Sequence, residues 1–103
     1  MTHPALRLDD TVHQRVRLGI LAVLTEAKRA DFGFLRSTLD LTDGNLSRHI
    51  AVLEEAGLVE IEKGYEGRRP RTWVSATRAG HRALEVEVGA LNELISRVNG
   101  SPR

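Results

Sequence analysis

Apolar residues along the 103-residue chain recur first with a helical period, then with a strand period, then with a helical period again. Val12, Val16, Ile20 and Leu24 fall every four residues, with Leu21 beside them, which predicts an amphipathic helix over residues 11–28. Asp9, Asp10 and Thr11 suit its start, and Lys28 and Arg29 suit its last turn. Residues 1–8 read as a loose arm. Phe32, Leu35 and Leu39 define a shorter helix that Asp31 caps and that ends near Asp40. Leu41 and Thr42 make a tight connection, and Thr42 caps a third helix whose inward positions are Leu46, Ile50 and Leu53. Gly57 reads as a left-handed C-cap, with Leu58 placed for the apolar contact that accompanies it.

From Leu58 to Tyr65 the alternation becomes twofold and predicts a strand; Thr72, Trp73, Val74 and Ser75 predict another. The intervening EGRRPR predicts the loop of a hairpin. Thr77 then caps a final helix that runs to about Val98. Leu84, Val88, Leu91, Ile95 and Val98 are spaced as a heptad seam along it. The expected fold class is mainly α with a small β hairpin (α+β). The divisions are a first helix at 11–28, a helix-turn-helix at 31–57, a hairpin at 58–76 and a last helix at 77–98, all within one domain, 1–103.

Composition narrows the chemistry. Apolar residues make up 41% and aromatics only 4%, so aliphatic side chains must build the core. Without cysteine there is no disulfide, thiolate site or thiol nucleophile, which fits a reducing cytoplasm. No apolar run approaches the length of a membrane span, and the first ten residues lack the apolar centre of a signal peptide. No nucleophile elbow, phosphate-binding glycine loop or HExxH pair is present, so the chain is expected not to be an enzyme and to need no cofactor. His81 and Glu85 have metal-ligand spacing, but two ligands are not a site, and a salt-bridge or solvent role is expected. His13 is expected at the surface. The net charge of +1 predicts no partner, but residues 67–84 hold five arginines, one histidine and no acid.

Two helices joined by a short turn form a helix-turn-helix, whose second helix enters the major groove of double-stranded DNA by its N-terminal residues. Here those are Thr42, Asp43, Gly44, Asn45, Ser47, Arg48 and His49. Arg48 suits guanine, Asn45 suits adenine, and Ser47 suits a base or a phosphate. Gly44 permits close approach. Asp43 suits phosphate poorly, and serves as a second cap or as an acceptor for Arg48 or a cytosine. His49 has a competing reading, packing sideways on the domain. Arg68, Arg69 and Arg71 beside Pro70 form a cationic tip for the adjacent minor groove. Lys63, Arg78 and Arg82 add phosphate contacts. Trp73 is expected to pack in the core, and Tyr65 lies either on the hairpin surface or against a phosphate.

The segment LTDGNLSRHIAVLEEAGLVEIEKGYEGRRPRTWVSATRAGHRAL resembles the winged helix DNA-binding domain of small bacterial transcriptional regulators of the MarR and ArsR types. The resemblance covers residues 15–91, and its most specific parts are TDGNLSRHI, LEEAGLVE and the arginine-proline wing. It implies that residues 43–56 are the recognition helix, that 67–71 are the wing, and that the protein acts as a dimeric regulator. The cysteine pair and histidine-acid set of the metal-sensing branch are absent, so no metal is expected. The sequence names no small-molecule effector. The resulting expectation is a homodimeric repressor on a pseudo-palindromic operator, paired through its first and last helices. The seam Leu84, Val88, Leu91, Ile95 and Val98 would supply the last helix's share; its competing reading is that it folds back onto the chain's own core. The competing readings are a protein-interaction winged helix and a nonspecific architectural DNA binder.

Overall fold

The computed structural model describes residues 3–100. Four α-helices and three strands follow a short 3-10 turn, Pro4–Arg7, in the order α1 (Arg15–Glu26), β1 (Ala30–Asp31), α2 (Phe32–Thr38), α3 (Asp43–Glu55), β2 (Val59–Glu66), β3 (Arg69–Ala76) and α4 (Arg78–Val98). The antiparallel sheet has the order β1-β3-β2. Val16, Ile20, Leu21 and Leu24 of α1, Leu35 of α2, and Leu46, Ile50 and Leu53 of α3 meet Val59 and Val74 of the sheet in one aliphatic core. These are the apolar positions that the helical and strand periods select.

The first helix starts later than its period predicts. Val12 is fully buried, yet it lies in a turn, not in the helix. Two residues with capping side chains compete here. Asp9 Oδ1 accepts from Thr11 N–H at 2.8 Å and so closes a local turn, while Gln14 caps α1 by accepting from Arg17 N–H at 2.9 Å. The helix also ends earlier, at Glu26. Ala27 is extended, and Lys28 and Arg29 lead into β1, whose Ala30 pairs with Val74. This two-residue strand has no period to betray it and adds a third member to the expected hairpin.

The arm is not loose over its described part. Pro4 is buried, Arg7 pairs with Glu93 of α4, and Asp9 N–H donates to the buried carboxylate of Glu87 at 3.1 Å. The other Glu87 oxygen lies 2.6 Å from His13 Nδ1. His13 is therefore surface-exposed, as expected, but engaged.

The expected caps of the other helices form. Asp31, Thr42 and Thr77 accept from the N–H groups of Phe34, Asn45 and Gly80. Gly57 has φ +79°, and Leu58 N–H reaches back to Leu53 O at 2.9 Å, closing α3. Helix α2 stops at Thr38, two residues short of Asp40, which itself turns the chain at φ +55°.

Helix α4 spans 21 residues, about 31 Å at 1.5 Å per residue. Its core-facing line is Gly80, Ala83, Glu87, Ala90 and Leu94. The heptad seam lies about a quarter turn away on the same cylinder. Leu84 and Leu91 are half-buried, but Val88, Ile95 and Val98 are 44%, 54% and 80% exposed, so the chain's own core does not cover the seam.

Candidate nucleic-acid interface

Helices α2 and α3 are joined by the four residues 39–42. Because Leu46, Ile50 and Leu53 anchor α3, the 3.6-residue period turns Gly44, Asn45, Ser47 and Arg48 outward, and all four are exposed. Three columns result. Ser47, Ala51 and Glu54 face the hairpin; Gly44, Arg48 and Glu55 lie along the middle; Asn45, His49 and Val52 lie on the α1 side. Ser47, Ala51 and Glu54 share a groove of about 360 Å³ with Phe32, Ile61, Lys63 and Thr72. Lys63 is thereby on the hairpin face turned toward α3. A side chain on Gly44 would meet nothing within 4 Å. The chain's own packing therefore does not require glycine there.

Two side chains are bonded differently from the sequence expectation. Asp43 Oδ1 accepts from Arg36 Nη1 of α2 at 2.6 Å, which neutralises the carboxylate at the helix start. Arg48 Nη2 donates instead to Asn45 Oδ1 at 2.6 Å. The candidate guanine and adenine readers thus form one i, i+3 unit that presents the Asn45 amide N–H groups and the free edge of Arg48. His49 is half-buried and packs sideways against Arg17 of α1, with Nδ1 3.1 Å from Arg17 Nη1. Burial first, and then the charges of Arg17 and Arg48, lower its pKa below the ordinary histidine value.

The hairpin differs from the expected five-residue wing loop. Pairing continues to Glu66 with Arg69, so the tip is only Gly67 and Arg68, and Gly67 supplies φ +64° at the first turn position. Pro70 lies inside β3, opposite Tyr65. A proline is tolerated there because β1 reaches only Trp73 and Val74, so beyond them β3 has a neighbour on one side alone.

Register also sorts the arginines. Arg69, Arg71 and Trp73 share the outer face with Glu62, Glu66 and Asp31, whereas Lys63, Tyr65 and Thr72 take the face toward α3. Arg71 is 2.9 Å from Glu66 and 3.6 Å from Asp31, which corrects the expectation of a tip with no acid nearby. Arg68 and Arg69 make no ion pair among the described residues and are exposed. Trp73 is not in the core either. It is half-buried under Arg29, whose guanidinium carbon is 3.9 Å from the ring centroid, while its neighbour Val74 fills the interior.

If this surface meets a phosphate backbone, Arg68→Ala and Arg69→Ala should each weaken binding to all duplexes. Each should also reduce the slope of log affinity against log salt by about one unit. Arg71→Ala should reduce it less, because Glu66 and Asp31 already neutralise that side chain. Filter binding across a salt series checks both; an equal slope change for Arg71 would contradict this assignment.

A helix-turn-helix flanked by a sheet with a projecting hairpin defines a winged helix. Residues 16–95 match the winged helix DNA-binding domain family, and the chain belongs to it. Its fold is that of winged helix transcriptional regulators. A transcriptional regulator homologue from Pyrococcus horikoshii is 38% identical, with a TM-score of 0.81 over 85% of this chain and 87% of that one. An uncharacterized protein of Methanocaldococcus jannaschii is 40% identical over 70 residues, 68% of this chain and 76% of the relative. The M. tuberculosis regulator MOSR, solved in complex with DNA, shares the fold with a TM-score of 0.72 at 20% identity, over 96% of this chain and 71% of that one. Among the described residues no helix is long and apolar enough to cross a membrane.

Proposed function

We propose that the protein is a sequence-specific transcriptional regulator of the MarR-like and ArsR-like kind, a homodimer that represses by occupying a promoter. The observation that carries this reading is the Asn45–Arg48 unit at the exposed N-terminal end of α3, beside a wing tipped by an unpaired arginine. Thr42, Asp43 and Gly44 form the helix start that approaches the duplex. Asn45 and Arg48 read base edges, Ser47 and Lys63 contact the strand on the wing side, and Arg68 and Arg69 reach the neighbouring groove. Arg71 serves mainly to brace the wing.

The dimer reading is supported by the uncovered seam of α4. A groove of about 410 Å³ runs along it, lined by Thr25, His81, Leu84, Glu85, Val88, Gly89 and Asn92. Side chains of a second copy's seam are of the size and polarity to fill it. Helix α1 contributes less than its predicted length suggested. It is 12 residues long, and Val16, Ile20, Leu21 and Leu24 are used in its own core. Two recognition helices related by a twofold axis would meet half-sites about one DNA turn apart, so the operator is a pseudo-palindrome.

Arg48→Ala should cost about 1–3 kcal/mol of operator binding and relax preference at one base per half-site. Because Arg48 holds Asn45, the adjacent base preference should broaden as well. Selection from a random duplex pool with the variant measures both. An unchanged base ranking would favour a nonspecific architectural binder, and a flat pool with the unaltered protein would favour a protein-interaction module.

A further inference from the structure

Arg17 projects half-buried from α1, and three of its N–H groups have partners. Nε donates to the Thr11 carbonyl at 2.6 Å, Nη2 donates to the Asp10 carbonyl at 3.2 Å, and Nη1 lies 3.1 Å from His49 Nδ1. A guanidinium has five N–H donors and no acceptor. The contact with Nδ1 is therefore a hydrogen bond only when Nδ1 carries no proton. In the neutral ring the proton is then on Nε2, which makes no hydrogen bond among the described residues.

The surroundings favour that tautomer. The charged groups facing the ring are Arg17 from α1 and Arg48 on its own helix, and no carboxylate is bonded to it among the described residues. The turn that carries Asp10 and Thr11 is itself fixed, since Asp9 N–H donates to the buried Glu87 of α4. His49 thus belongs to a preorganised cluster that the sequence hardly announces, because its members come from the arm, α1, α3 and α4.

His49 stands in the α1-side column of α3, three residues after inward-facing Leu46 and one after outward-facing Arg48. When a helix enters a groove by its N-terminal end, its first turn and its middle column face base edges, and its flanks beyond that turn, where His49 stands, run beside the sugar-phosphate strands. We propose that Arg17 and His49 form a phosphate-binding pair on this flank. Arg17 is the positioning residue that holds Nε2–H of His49 outward to a phosphodiester oxygen, and its two remaining N–H groups add charge at the same place. This rests on the DNA-binding reading above. Because the pair contacts the backbone, it contributes affinity without base preference. Protonating Nδ1 sets donor against donor and cation against cation. The contact is therefore present above the lowered pKa of His49 and is lost as pH falls through it.

The test combines NMR of 15N-labelled histidine with titration of the duplex that the unaltered protein enriches from a random pool. The proteins compared are the unaltered chain, Arg17→Met, His49→Gln and His49→Ala. In the unaltered protein His49 should be the Nε2–H tautomer and titrate below the ordinary histidine range. In Arg17→Met its midpoint should rise and the tautomers should mix. Affinity should fall about five- to tenfold, with the base ranking unchanged and the salt slope reduced by about one unit. His49→Gln, which keeps a neutral N–H near the Nε2 position, should bind within about threefold of the unaltered protein, whereas His49→Ala should lose about five- to tenfold.

Should Arg17→Met fail to fold, the tautomer in the unaltered protein and the Gln–Ala contrast still decide. A protonated Nδ1 at neutral pH, or equal binding by His49→Gln and His49→Ala, overturns the pair. So does an altered base ranking in Arg17→Met, which would mark a base contact instead. A protein that enriches no duplex in dilute buffer overturns the DNA reading, and the pair with it. One that enriches a duplex while Arg17→Met binds as tightly and His49 titrates unchanged overturns the pair alone.

Discussion

Gly80→Ala is expected to destabilise the folded chain by about 3 kcal/mol, a large share of the marginal stability of a domain this size. A methyl group at this position would lie 2.1 Å from the Leu58 carbonyl oxygen, which is backbone and cannot rotate away. The same carbonyl accepts Thr77 N–H at 3.0 Å, and Thr77 Oγ1 donates to Gly57 O at 2.7 Å while capping α4. Moving α4 outward to make room would break both links between its start and the end of α3. Gly64, inside β2 and away from the seam of α4, is the control: a side chain there meets nothing within 4 Å, so Gly64→Ala should stabilise the fold by about 0.5–1 kcal/mol. Urea denaturation of the two variants measures the contrast. A Gly80→Ala midpoint equal to that of the unaltered protein would contradict the docking geometry described for α4.

Ile95→Glu is expected to leave the fold of each chain intact and to abolish pairing. The side chain is 54% exposed in the single chain, so the substitution buries no charge and opens no cavity there. Across a twofold axis it would bring two carboxylates into an apolar seam beside Val88, Leu91 and Val98, where neither has a partner. Light scattering should report a mass halved relative to the unaltered protein. Losing the linked second half-site should then weaken operator binding by about a hundredfold or more. A dimeric Ile95→Glu protein would exclude this seam as the interface.

The legible parts of this fold were those set by local rules. The aliphatic period located α1, α3 and α4, and Thr42, Thr77 and Gly57 marked the helix ends they do mark, because capping depends on neighbours within four residues. What failed depended on distant partners. Glu87 did not stand out in the sequence, yet it is buried in α4 and bonded to Asp9 and His13, more than seventy residues away. Arg71 reads as a free wing cation, yet strand register sets it beside Glu66, and β1 brings Asp31 to it. Pro70 reads as loop because proline usually ends strands, and only the shortness of β1 explains why it does not. The candidate interface was legible in its residue types and less so in its bonding. Asp43 with Arg36, Asn45 with Arg48 and His49 with Arg17 are pairs that composition does not announce. They turn a list of separate readers into a few units.

Under the proposed function the outward face of α3 recognises a particular duplex. Selection of the unaltered protein against a random duplex pool tests it most directly. Enrichment of a twofold-symmetric motif with half-sites about ten base pairs apart is the expected result. A pool that stays flat through repeated rounds in low salt would contradict it.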